Sequence, residues 1–169
     1  VSTSGTISNS VVDDADVTTL SLSASASVSE GGTITYTASL TNPAETAMSV
    51  TLSNGAVINI IAGASSGNVS VAAPSDDVYI DAGSVSATIA SSSGGNFESL
   101  TTNPAAAATT ITDTIDTTSV TLSSATAGSN VTEGGSIVYT ATVDHLVTGT
   151  PLVVTLSNGQ TITIPVGAL

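Results

Sequence analysis

The sequence predicts an all-β protein: tandem immunoglobulin-like (Greek-key) β-sandwich domains, the second of them incomplete. Three observations predict it. Apolar and polar residues alternate along short segments, as in Ile34, Tyr36, Ala38 and Leu40, which is the period of a half-buried strand. Turn signals recur about every 8–12 residues. A block of about 100 residues repeats, too long for a solenoid unit and the size of a sandwich domain.

The repetition is direct. Glu30-Gly31-Gly32-Thr33-Ile34-Thr35-Tyr36-Thr37-Ala38 returns as Glu133-Gly134-Gly135-Ser136-Ile137-Val138-Tyr139-Thr140-Ala141. Val50-Thr51-Leu52-Ser53-Asn54-Gly55 returns as Val154-Thr155-Leu156-Ser157-Asn158-Gly159. Upstream, Asp13, Asp16, Thr18 and Leu22 match Asp113, Asp116, Thr118 and Leu122. The offset is 100 at the aspartates, 103 at Glu-Gly-Gly and 104 at Asn-Gly, the drift coming from insertions such as Ala127-Gly128-Ser129. Three segments follow: residues 1–16, the tail of a preceding repeat or a leader plus a junction; residues 17–116, a complete repeat; and residues 117–169, the first half of a second.

In the complete repeat, strand A is expected from Thr19 to Val28, with Leu20 and Leu22 on one face. Ser29-Glu30-Gly31-Gly32 turns the chain into strand B, where Ile34, Tyr36, Ala38 and Leu40 point inward. After the loop Thr41 to Glu45, strand C carries Val50 and Leu52. Asn54-Gly55 suits a tight hairpin, since both residues tolerate positive φ. Strand D holds Ile58 and Ile60, and strand E holds Val69 and Val71 and ends at Pro74-Ser75-Asp76-Asp77. Strand F is Val85 to Ile89. Ser91 to Asn96 reads as a Gly/Ser loop with Phe97 and Leu100 as plugs, and strand G runs from Ala106 to Thr112. The second repeat reaches only strands A to D. Half a sandwich exposes its inner face and is not stable alone. Either the sequence is cut from a longer array, or another chain completes the missing strands; the spare leading segment supplies about one strand where three are wanted.

Composition bounds the function. The net charge is −13, with no Lys and no Arg, which argues against nucleic acid and against anionic membrane surfaces. No apolar run approaches the length of a membrane span, and residues 1–5 lack the basic and apolar regions of a signal peptide. Aromatics are 2% of a chain that is 40% hydrophobic, so the core is built from Val, Ile, Leu and Ala. There is no Cys and so no disulfide framework. The Gly-Gly pairs lie between strands with no Lys behind them, unlike phosphate loops. His145 is the only His, and its matching position is Asn42; abundant Ser makes a chance Ser-His-Asp pattern trivial. The chain is read as no enzyme. Asn68-Val69-Ser70 and Asn130-Val131-Thr132 fit the glycosylation triplet, which is common in Thr-rich chains. Outward faces of Thr, Ser and Asn suit a hydrated spacer, and a carbohydrate- or ligand-binding role lacks an aromatic cleft.

Taken as a set, Ser29 to Ala38, Val50 to Gly55, Asp76-Asp77-Val78-Tyr79, Gly94 to Glu98 and Asp113 to Asp116 resemble the tandem repeats of giant bacterial adhesins of the LapA type. The resemblance covers nearly the whole chain after residue 12. It implies an extracellular, surface-tethered, calcium-stiffened stalk, exported by type I secretion and supporting adhesion and biofilm formation. Its partners would be neighbouring repeats of the same chain and other copies head-to-tail, without membrane insertion. The rival reading is a subunit of a self-assembling extracellular filament with strands complemented between chains.

The acids have a reading of their own. With no Lys or Arg to offset them, two carboxylates about 5 Å apart repel by about 3 kcal/mol at an effective dielectric near 20. In a seven-stranded sandwich the A–B turn, the E–F loop and the end of strand G share one pole. Glu30, Asp76, Asp77, Asp113 and Asp116 are therefore the expected calcium ligands, with Asp13 and Asp16 serving an upstream junction. Asp81 shares the E–F loop with Asp76 and Asp77 at that pole and has a second reading as a turn cap; Glu133 is read as awaiting absent partners, and Asp144-His145 as reaching across the junction. Calcium takes 6–8 oxygen ligands in irregular geometry, whereas zinc prefers His or Cys.

Overall fold

Alternation written into the sequence becomes alternation of burial. In the computed structural model, which describes residue 5, residues 8–12 and residues 14–169, packing divides the chain into two units. Unit one is Val1–Pro74 with Ala82–Thr112, and unit two is Ser75–Asp81 with Asp113–Leu169.

Unit one carries β1 (Val17–Ala24), β2 (Ser27–Ser29), β3 (Thr33–Leu40), β4 (Met48–Leu52), β5 (Val57–Ile60), β6 (Ser66–Ala72), β7 (Gly83–Ala87), β8 (Ile89–Gly94), β9 (Ser99–Thr102) and β10 (Ala107–Thr112). They form a four-stranded sheet, β6-β3-β1-β9, and two three-stranded sheets, β2-β10-β7 and β5-β4-β8. β3 pairs antiparallel with β1, Leu20 opposite Leu40, and with β6, Tyr36 opposite Val69. All three sheets send alternate residues into one core that includes Leu20, Ile34, Tyr36, Val50, Ile58 and Ile111. That is the immunoglobulin-like sandwich the sequence predicts.

Three segments depart from expectation. Strand A is not continuous from Thr19 to Val28. It breaks after Ala24 and resumes as β2, which leaves the β1 sheet and lies parallel to β10, with Ile111 opposite Val28. A chain that changes sheets joins the two layers along one edge. The Gly/Ser stretch expected to be a loop is largely strand β8, with Met48 opposite Gly94 and Val50 opposite Ser92 and a register shift at Thr51/Leu52. Small residues lack strand propensity of their own, and here pairing with β4 decides. β9, parallel to β1 with Leu100 opposite Thr18, is likewise a strand where plugs were expected.

Unit two carries β11 (Val120–Ser124), β12 (Tyr139–Val143), β13 (Leu152–Thr155) and β14 (Thr161–Ile164). Repeat copies keep their register. Leu22 faces Ala38 in unit one and Leu122 faces Ala141 in unit two, while Val50 faces Ile58 and Val154 faces Ile162. Burial differs. Ile34 and Tyr36 are 0% exposed, whereas their counterparts Ile137 and Tyr139 are 51% and 41% exposed. The small core of unit two is Ala141, Val143 and Ile164. Among the described residues no helix is long and apolar enough to cross a membrane.

Thr109, on β10, is fully buried, and its hydroxyl has no hydrogen-bond partner among the described residues. A buried polar group left unpaired costs about 1–3 kcal/mol. Thr109→Val keeps the shape and the β-branch, and it is expected to raise the melting temperature of unit one in a thermal scan. A lowered melting temperature would instead show a hydroxyl satisfied by buried water.

Candidate metal centre

Backbone hydrogen bonds build one pole of unit one. The Glu30 amide donates to the Thr112 carbonyl at 3.0 Å, and the Gly31 amide donates to the Pro74 carbonyl at 2.7 Å. Gly31 has a φ of 66°, so the residue at the tip of this turn must tolerate a left-handed backbone. The turn thus holds both points where the chain leaves unit one, Pro74 before Ser75 and Thr112 before Asp113. On its return the chain re-enters through Gly83, which faces Ile111. Glu30 itself is buried, at 8% exposure.

In unit two the two excursions meet. A carboxylate oxygen of Asp81 and one of Asp113 lie within 4.8 Å of each other. Asp113 is half-buried, and its Oδ1 is buried with no hydrogen-bond partner among the described residues. The Thr114 hydroxyl donates to Asp76 Oδ1. The Tyr79 amide donates to Asp77 Oδ1 at 2.8 Å, an Asx turn that shapes the loop. Asp116 is exposed and borders, with Asp113, Thr114 and Tyr79, a hollow of about 280 Å³. Ser75–Asp81, in sequence part of the first repeat, packs in unit two, where Val78, Tyr79 and Ile80 share a second hollow with Val143, His145 and Leu152.

The expected ligands therefore separate. Asp81, for which the sequence left open a place among the acids of the pole or a role as a turn cap, stands beside Asp113. Asp76 and Asp77 are engaged with Thr114 and Tyr79. Glu30 belongs to unit one. Asp16 immediately precedes β1, its amide donating to Glu98 Oε2 at 2.7 Å. Asp13 lies outside the described residues. Sequence gave no reason to prefer Asp81 over Asp76 or Asp77, since all three sit in one acidic loop; the pairing of β7 with β10 is what selects it.

Asp144 and His145 form a local arrangement within unit two. Asp144 Oδ1 accepts from the Ser119 amide at 2.9 Å and lies 3.0 Å from His145 Nδ1. The Ser119 amide foremost, with His145 adding to it against slight desolvation, holds the Asp144 carboxyl below its ordinary value. Unit one has the same cap in neutral form: the Thr19 amide donates to Thr41 Oγ1 at 2.9 Å. The aspartate thus fills a structural position that a threonine fills in the other repeat.

The donors at the Asp81–Asp113 site are all hard oxygens, and the chain has no Cys and one His. That set fits calcium and does not fit zinc.

The chain matches no curated protein and no solved structure. A family model, described as the LapA domain, matches residues 16–114 and again residues 116–169. Two successive matches agree with the internal repeat and with the register shared by β1–β3 and β11–β12. Together they cover most of the chain, which therefore belongs to the LapA domain family and is a structural module of a LapA-type adhesin.

Proposed function

We propose that this module is an extender of a bacterial cell-surface stalk, stiffened by calcium where one repeat gives way to the next, and that it supports adhesion and biofilm formation by holding an adhesive region away from the cell. Neighbouring repeats are its partners. Asp81 and Asp113 are the central ligands, and Asp76, Asp77 and Asp116 supply the surrounding negative field.

The observation that carries this reading is the Asp113 carboxylate. One of its oxygens is buried and has no hydrogen-bond partner among the described residues, a second carboxylate lies within 4.8 Å, and no Lys or Arg exists anywhere in the chain to balance them. Two such groups held together favour a divalent cation. An ion bound where the chain leaves unit one at Pro74, returns at Ala82 and leaves again at Thr112 would restrict pivoting there.

Calcium at 100 times its dissociation constant is expected to add about 2.7 kcal/mol to the stability of the bound state. Thermal melts with calcium and with chelator check this, and small-angle scattering should show a longer maximum dimension with calcium. Asp113→Asn is expected to remove most of the calcium increment, while Asp14→Asn, at an exposed acid outside the set, keeps it. Superimposable melts and scattering in both buffers would overturn the calcium reading and leave the family membership untouched.

A further inference from the structure

Two chemically labile dipeptides stand at matching places. Asn54-Gly55 turns β4 into β5, and Asn158-Gly159 turns β13 into β14. In such a pair the deprotonated glycine amide nitrogen attacks the asparagine Cγ. The Cγ–Nδ2 bond breaks, ammonia leaves, and a succinimide forms. Water then opens either imide carbonyl, giving aspartate or isoaspartate. One water is consumed and one ammonia released, with no other reactant. Both dipeptides follow a serine, Ser53 and Ser157, so the intrinsic reactivity of the two sites is closely matched.

In both turns the fold withholds the reacting groups. The Gly55 amide donates to the Leu52 carbonyl at 2.9 Å, and the Gly159 amide to the Leu156 carbonyl at 3.0 Å. The side-chain carbonyl of Asn54 accepts from the Ala56 amide at 3.1 Å, and that of Asn158 from the Gln160 amide at 3.0 Å. Cyclisation needs the glycine nitrogen released and Cγ turned onto it. Each site therefore reacts only when its hairpin opens.

The hairpins differ in what opening must undo. β4 lies between β5 and β8 in a three-stranded sheet, and Val50, Leu52, Ile58 and Ile60 are buried in the main core. β13 and β14 form a sheet of two strands, with Ile164 buried, Leu152, Val154 and Ile162 only partly so, and Val153 exposed. Local opening free energy rises with the apolar contact that must be broken. We propose that Asn158 is a site of spontaneous deamidation in this chain, and that packing shields Asn54 from the same reaction. The product is a new carboxylate at a turn whose glycine holds φ at 81°, with an added backbone carbon in the isoaspartyl form.

The test ages the full chain in mildly alkaline buffer. Chymotryptic peptides are then quantified by mass spectrometry, since trypsin has no site to cut. Asn158 is expected to convert at least about ten-fold faster than Asn54, the difference that about 1.4 kcal/mol in opening free energy gives. In concentrated guanidinium the two rates should converge. Equal rates in native buffer, or Asn54 reacting first, would refute the proposal. So would the same preference persisting in denaturant, because the order would then be set by local sequence and not by packing.

Discussion

Tyr36→Ala is expected to remove about 3–5 kcal/mol from the stability of unit one, the range for deleting a large buried aromatic. Tyr36 is the largest fully buried side chain in the described structure. It projects from β3, which has neighbours on both sides, β1 and β6, so the surrounding backbone has little room to collapse into the void. The ring and not the hydroxyl supplies the effect, because the hydroxyl has no hydrogen-bond partner among the described residues. Tyr36→Phe should therefore be near neutral or mildly stabilising. Tyr139→Ala offers an internal comparison at the same place in the repeat. Tyr139 is 41% exposed, and its loss should leave the unit one transition where it is. Denaturant melts of the three variants check the set; a Tyr36→Ala loss below about 1 kcal/mol would mean the core refills the space.

Gly94→Ala is the second large effect. Gly94 closes β8 opposite Met48, with φ at 87°. An L-residue pays about 1–2 kcal/mol to adopt a left-handed backbone. A Cβ there would also run into the Ala47 carbonyl oxygen and come within 3.1 Å of the Met48 Cα. These are backbone atoms at the start of the paired strand β4 and of the residue before it, so they cannot swing aside as a side chain could. Adding strain of the overpacking kind, about 1–3 kcal/mol, brings the expected loss to about 2–5 kcal/mol. Gly55→Ala separates the two causes, since it has a φ of 84° and open space around its Cβ. It should lose only the conformational part. Equal losses at both positions in a denaturant melt would show that the contact with Ala47 contributes nothing.

How much of this was legible beforehand depends on which segments carry their own signal. β3 was readable residue by residue because each inward position is apolar and each outward one is Thr or Ser. The Asn-Gly turns were readable because their conformation restricts which residues fit. β8 was not, since Ser91, Ser92, Ser93 and Gly94 state no preference and become a strand only beside β4. The break between β1 and β2 was hidden for a related reason: Ser25 and Ala26 suit either continuation, and the choice falls to β10. For the candidate site, the acids are visible in the sequence, but their nearness to one another is not. Which carboxylates approach one another depends on the register of β7 against β10, and a single sequence does not contain that register in any local form.

The parallel pairing of β2 with β10 has a mechanical consequence. The chain enters unit one at β1, continues in the same direction through β2, and leaves at the end of β10. When the two ends are drawn apart, β2 and β10 are pulled lengthwise past each other. The Thr110 amide to Ala26 carbonyl bond and the Glu30 amide to Thr112 carbonyl bond, each 3.0 Å, then resist as a group in shear and do not peel one after another. Tension applied along the chain therefore meets its resistance at the strand pair joining the first and last segments of the domain, before any of it reaches the aliphatic interior.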